Sequence, residues 1–169
     1  ILYHNEPDGV AEKEYDEDPS GLISRFYQSP DSPRKPPKIT DSKRSAGGFL
    51  PRIGEAEGLP AWFSKEDLDY VVGQFEESGF RGGVNYYRNI ERNWKLTEDL
   101  KDHNIKVPTL FLAGTQDMVI AGASKESLES SMKEVIPLLE KVILLPNIGH
   151  WVQQEAAEQT NSILIDFLK

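Results

Sequence analysis

The chain of 169 residues contains no cysteine. That excludes disulfides, a thiol nucleophile and thiolate metal sites, though it does not identify a compartment. Histidine is scarce as well: His4, His103 and His150 stand in dissimilar contexts, so a histidine metal cluster is not expected. No apolar run approaches the roughly eighteen residues of a membrane span, and residues 1–5 lack the basic start and apolar stretch of a signal peptide. A cytoplasmic location is the expectation that follows. Basic residues are outnumbered, 19 against 28 acids, for a formal net charge of −9. Such a balance opposes nucleic acid and anionic membrane, because phosphate contacts need a concentrated basic surface. A neutral small molecule is the expected partner. The acids crowd near the start, in Glu6, Asp8, Glu12, Glu14, Asp16, Glu17 and Asp18, with Lys13 the single basic residue among them. Runs of this kind predict a solvated face.

What is present falls into three parts. Residues 1–27 combine a turn at Pro7, Asp8 and Gly9 with a short helix in which Val10 and Ala11 precede a polar stretch interrupted by Pro19. Residues 28–60 are dense in proline and glycine, a long irregular excursion of the kind that forms a lid, a binding loop or a linker. Order resumes at Ser64, an N-cap with Asp67 three residues on; Leu68, Val71, Val72 and Phe75 then share a helical face until Gly79 supplies the stop. Residues 84–94 have helical character after the Gly82 and Gly83 pair. The final third changes rhythm. Apolar runs at 109–113 and 142–145 are each followed by a polar helical stretch, about 124–134 and 154–168, the second expected to bury Thr160, Ile163, Leu164 and Phe167. Strand, helix, strand, helix is the order of a parallel sheet.

In an open parallel sheet, functional groups collect in the loops beyond the carboxyl ends of the strands. Two such loops are predicted here, one carrying Asp117 and Met118, the other Ile148, Gly149, His150 and Trp151. A carboxylate on one loop can fix the tautomer of an imidazole on the next and leave its other ring nitrogen to abstract a proton. Taken singly, an Asp placed like Asp117 is more often a turn or cap residue, and the Gly149-His150 pair is as readily structural as functional. Together, acid before histidine and thirty-three residues apart, they match the last two members of an α/β-hydrolase triad.

Longer stretches carry a closer resemblance. Ser78-Gly-Phe-Arg-Gly-Gly-Val-Asn-Tyr-Tyr-Arg-Asn-Ile-Glu-Arg-Asn-Trp94 is similar to the lid segment of soluble-type epoxide hydrolases, as are Leu2-Tyr-His-Asn-Glu-Pro7 and Gly9-Val-Ala-Glu12. Pro108-Thr-Leu-Phe111 and Gly149-His-Trp-Val-Gln-Gln-Glu155 resemble that family's acid-bearing strand and histidine loop. The likeness spans nearly all of the chain, most loosely in 28–60. It implies an α/β architecture: most of a helical lid in 1–96, and the C-terminal part of an α/β-hydrolase core in 97–169. It also implies a reaction, needing no cofactor, in which an aspartate opens an epoxide to a covalent ester, and a histidine-activated water releases a diol. Ring opening develops charge on an alkoxide, which a phenol of ordinary pKa, roughly 10, can bond or protonate. The resemblance assigns this role to Tyr87, with His150 as general base and Asp117 as its orienting acid. Met118, Trp151, Ile1, Leu2 and Ile148 are candidates for pocket lining, with core packing the alternative. Arg88 and Arg92, four apart on one helix face, are read as structural partners for acids such as Glu91 or Glu98.

The chain departs from that family in what it does not contain. There is no Gly-x-Ser-x-Gly or Gly-x-Asp-x-Gly elbow, and the glycine-rich Ser45-Ala-Gly-Gly-Phe49 has no strand before it. The nucleophile, the oxyanion-hole donors and a first lid tyrosine would lie before Ile1, which makes the missing N-terminal half, in the same or a separate chain, an expected partner. Alone, this piece is expected to be inactive and unstable, with open strand edges and apolar surface. Other readings stay open on the residues: a haloalkane dehalogenase, a carboxylesterase, or a hydrolase-fold receptor that binds without turnover. The choice of epoxide and the oligomeric state are not encoded in any motif found here.

Overall fold

A computed structural model describes residues 3–40, 47–120 and 122–169. They divide into two compact units, Ile1–Gln28 with Ser32–Glu98, and Ser29–Asp31 with Asp99–Lys169.

The first unit is helical. Gly9, at φ 95°, opens α1 (Val10–Glu17), and Glu12 reaches back to accept its N–H. Pro19 ends α1 and begins α2 (Pro19–Phe26), where its missing N–H is not needed; Asp18 caps this helix by accepting from Gly21 N. Ser64 and Asp67 form the expected reciprocal capping box of α3 (Lys65–Ser78), which Gly79 closes at φ 67°. The stretch predicted as one helix from 84 is two, α4 (Arg81–Arg88) and α5 (Ile90–Leu96), broken at Asn89. Gly82 and Gly83 lie inside the first turn of α4, not before it. Between α2 and α3 the described residues hold one short 3-10 turn, Leu50–Arg52, and an isolated antiparallel bridge from Arg34 to Ala56. The core gathers Tyr3, Ala11, Tyr15, Leu22, Ile23, Phe63, Leu68, Phe80 and Val84.

The acidic run is in large part the solvated face predicted from its charge, with Asp8, Asp16, Glu17 and Asp18 exposed, but three of its acids are also engaged by the fold. Glu12 is buried against Arg88; Glu14 accepts the backbone N–H groups of Phe49 and Leu50; Asp16 accepts that of Phe80 at the start of α4. Acids of this run satisfy backbone donors and pair with Arg25, Arg81 and Arg88.

In the second unit, β1 (Thr109–Gly114) and β2 (Leu139–Leu145) pair in parallel, with α6 (Lys125–Lys133) crossing between them. A register irregularity sits at Thr109/Leu110, where the bonding steps from Leu139 to Lys141. Both faces of the pair are covered. Phe111 and Val142 pack with Ile136, Leu139, Leu128 and Met132, while Leu112 and Ile143 pack with Leu145, Val152, Ala156 and Ile163. That is why these strands read as continuous apolar runs instead of alternating ones. After β2 the chain forms α7 (Val152–Glu155) and α8 (Ala157–Phe167), two helices where one was predicted. Thr160 is buried as expected, but Leu164 is 41% exposed, so the predicted apolar face is only partly covered.

Candidate active site

The loop after β1 and the loop after β2 are built against each other. Thr115 N donates to Leu145 O at 2.9 Å, Gln116 N to Ile148 O at 2.9 Å, and Asn147 N to Thr115 Oγ1 at 2.9 Å. Asn147 takes a left-handed conformation, φ 61°, which asparagine tolerates and which turns the chain back after Pro146. Gly114 is required by proximity: a Cβ there would lie 2.0 Å from the carbonyl oxygen of Ile148 and 2.5 Å from that of Gly149. Glu155 holds the histidine loop on both sides of His150, accepting from Gly149 N at 2.9 Å and from Trp151 N at 3.0 Å.

This scaffold brings Asp117 and His150 together. His150 Nδ1 lies 3.0 Å from Oδ1 and 3.1 Å from Oδ2 of Asp117. A carboxylate only accepts, so Nδ1 carries the proton and Nε2 is left as the acceptor. Asp117 is 8% exposed and also accepts from Val119 N at 2.8 Å, which fixes its plane. The imidazole is the open partner, its side chain 50% exposed. A buried acid orienting an accessible imidazole is the arrangement of a general base.

The other sequence-predicted residues divide. Trp151 sets its ring edge-on to His150, centroids 5.3 Å apart. Met118 is largely exposed, and Ile148 packs onto the core of Leu145, Val152 and Ala156. Ile1 and Leu2 lie outside the described residues. Tyr87 belongs to the first unit, on the last turn of α4, where its ring lies on that of His4 with centroids 4.2 Å apart and 39% of the residue stays exposed. Arg88 does find acids, but they are Glu12 and Asp8 on the α1 side instead of Glu91 or Glu98. Proximity in sequence misdirected that reading, because the partner comes from a helix 76 residues away. The sequence alone assigns no role to Glu155 or Gly114; a carboxylate a few residues past a loop histidine is the signal that points to the first.

A groove of about 530 Å³ in the first unit, lined by Glu14, Arg25, Lys35, Leu50 and Glu55 among others, contains none of these residues. Its charges answer one another, Glu55 pairing with Lys35 and Lys38, and Arg25 with Asp18 and Glu55. Among the described residues no cluster of acids and histidines suits a metal ion, and no helix is long and apolar enough to cross a membrane.

No protein-family model matches the chain. Among curated proteins it is 38% identical over 172 residues to epoxide hydrolase A of Mycobacterium tuberculosis, a match covering 99% of this chain and 51% of that protein. It is 34% identical over 163 residues to epoxide hydrolase 1 of Siraitia grosvenorii, covering 95% of this chain and 50% of that one. Among solved structures, epoxide hydrolase A from Mycobacterium thermoresistibile superposes with a TM-score of 0.80 at 39% identity, covering 99% of this chain and 50% of that one. The chain thus spans about half the length of the curated relatives it matches.

Proposed function

We propose that this chain, which belongs to the epoxide hydrolases of the α/β-hydrolase fold, supplies the general base, its orienting acid and one oxygen donor of an enzyme that converts epoxides to vicinal diols. Residues 1–96 are then the lid and 97–169 the C-terminal part of the hydrolase core, a division that differs from the two compact units at 29–31 and 97–98. The observation that carries the reading is the pairing of buried Asp117 with His150 Nδ1, which leaves Nε2 as the proton acceptor. A nucleophilic carboxylate from the other half of the protein attacks an epoxide carbon; the carbon–oxygen bond breaks and an ester forms. The departing alkoxide takes the proton of the Tyr87 phenol. His150 Nε2 then removes a proton from water, the hydroxide adds to the ester carbonyl, and the diol leaves with the proton returned by the imidazolium. The carboxylic acid left behind gives its proton to the phenolate, so epoxide and water are consumed and one diol is formed.

The choice between water attacking the epoxide directly and water attacking an ester is made by isotope. Full-length protein in excess over an aryl epoxide, in water labelled with oxygen-18, should release a diol that is unlabelled in its first turnover, because the incoming oxygen is that of the carboxylate. A labelled first-turnover diol would overturn the two-step reading, and hydrolysis of esters with no diol from any epoxide would favour a carboxylesterase.

A further inference from the structure

Helix α4 cannot hold its own register well. It is eight residues long with two glycines in its first turn, each costing roughly 1 kcal/mol against alanine, and its N-cap residue Phe80 offers no capping side chain. A Cβ on Gly82 or Gly83 would meet nothing within 4 Å, so close approach does not require them. The placement of α4 therefore comes from tertiary partners. Asp16 accepts from Phe80 N at 3.0 Å at its start, and at its end Arg88 binds back to the segment that precedes and begins α1.

The Arg88 contacts form a fork. Nε donates to the His4 carbonyl oxygen at 3.0 Å, Nη2 donates to Glu12 Oε2 at 2.9 Å, and Nη1 donates to Glu12 Oε1. Both side chains are largely buried, Arg88 14% and Glu12 9% exposed. A planar guanidinium making all three contacts fixes angle as well as distance, which a lysine ammonium cannot do. The residue whose carbonyl it grips is also the one whose ring carries Tyr87. His4 is buried, Tyr15 Oη sits 2.8 Å from its Nε2, and burial pushes its pKa below the ordinary value, so Tyr87 rests on a fixed, uncharged plate. Among the described residues the Tyr87 phenol oxygen has no hydrogen-bond partner of its own. Its ring is positioned while its hydroxyl stays unengaged by these residues.

We propose that Arg88, braced by Glu12, is a positioning residue for Tyr87, aiming its phenol by locking the end of α4 to His4. This rests on the reading of Tyr87 as the oxygen donor. Stability alone would be served by the same ion pair, so the test must separate aiming from holding together.

The experiment is a double-mutant cycle in the full-length protein, with ester formation and ester hydrolysis measured separately in single turnovers of an aryl epoxide. Arg88→Lys should slow ester formation about tenfold or more, a small misplacement of a reacting group being enough for that, and leave ester hydrolysis within about twofold. In a Tyr87→Phe background the same change should slow ester formation less than about twofold, since the group it aims is gone. Glu12→Gln should act in the same direction, more weakly, and it serves if Arg88→Lys does not fold. The proposal is overturned if either variant slows both steps alike, slows ester formation equally with and without the Tyr87 hydroxyl, or slows nothing. If Tyr87→Phe itself leaves ester formation unchanged, it is the donor reading that falls, and the aiming role with it.

Discussion

Replacing Glu12 by glutamine should destabilise the first unit at neutral pH by an amount that disappears in acid. The hydrogen bonds from Arg88 hold the Glu12 carboxyl well below the usual range, at about 2 against 4.5 for a free glutamate. At about 1.36 kcal/mol per pKa unit, the ionised form is favoured in the folded protein by on the order of 3 kcal/mol. Arg88 keeps the His4 carbonyl and Asp8 when Glu12 is lost, and the pair retains some exposure, which brings the expected difference down to about 2 kcal/mol. Because the folded pKa is the lower one, this stabilisation is complete above the unfolded value and is lost as pH falls toward the folded one. Roughly half or more should be gone by about pH 3. Urea unfolding of the full-length protein, read by amide exchange in peptides covering α1 and α4, measures it region by region. The wild type should exceed Glu12→Gln by about 2 kcal/mol near pH 7, and the two should converge toward pH 3. A difference that stays constant across that range would refute a charge-linked origin, and no difference at pH 7 would refute the pairing itself.

Two further substitutions probe the histidine loop. Gly114→Ala puts a methyl group where the Ile148 carbonyl stands, so the loop must shift; a loss of about 2 kcal/mol or more in stability and accumulation of the ester intermediate are expected, and normal hydrolysis of the ester would show that the loop tolerates the displacement. Glu155→Gln keeps an acceptor for only one of the two N–H groups flanking His150, at a cost of about 1 kcal/mol. Ester hydrolysis should slow while ester formation does not, and equal slowing of both would argue against a role confined to the base.

Much of this arrangement could be read from the chain because its signals are local. The Ser64 and Asp67 capping box, Gly79 as a stop and the two apolar strand runs each depend on residues a few positions apart, and the acid-then-histidine order follows from each residue's place just after one of those strands. What could not be read depends on distant partners. The acids near the start are mostly solvated as their charge suggests, but charge patterning says nothing of the backbone donors of Phe49, Leu50 and Phe80 that bind Glu14 and Asp16. Arg88 looked paired with nearby acids such as Glu91 or Glu98 because Glu12 lies far off in sequence. The break at Asn89 fell in a stretch whose helical pattern continues on both sides. Ile148 illustrates a different limit, since an apolar residue beside a catalytic loop has the same sequence signature whether it lines a pocket or, as here, joins the core.

If His150 serves as the base for hydrolysing a covalent ester, removing it should trap that ester. Full-length protein carrying His150→Gln, mixed with an aryl epoxide and examined by intact mass spectrometry, should gain the mass of one epoxide and keep it, while the wild type returns to its starting mass as diol appears. A variant that turns over without a lasting adduct, or that never forms one while the wild type converts the epoxide, would contradict the account.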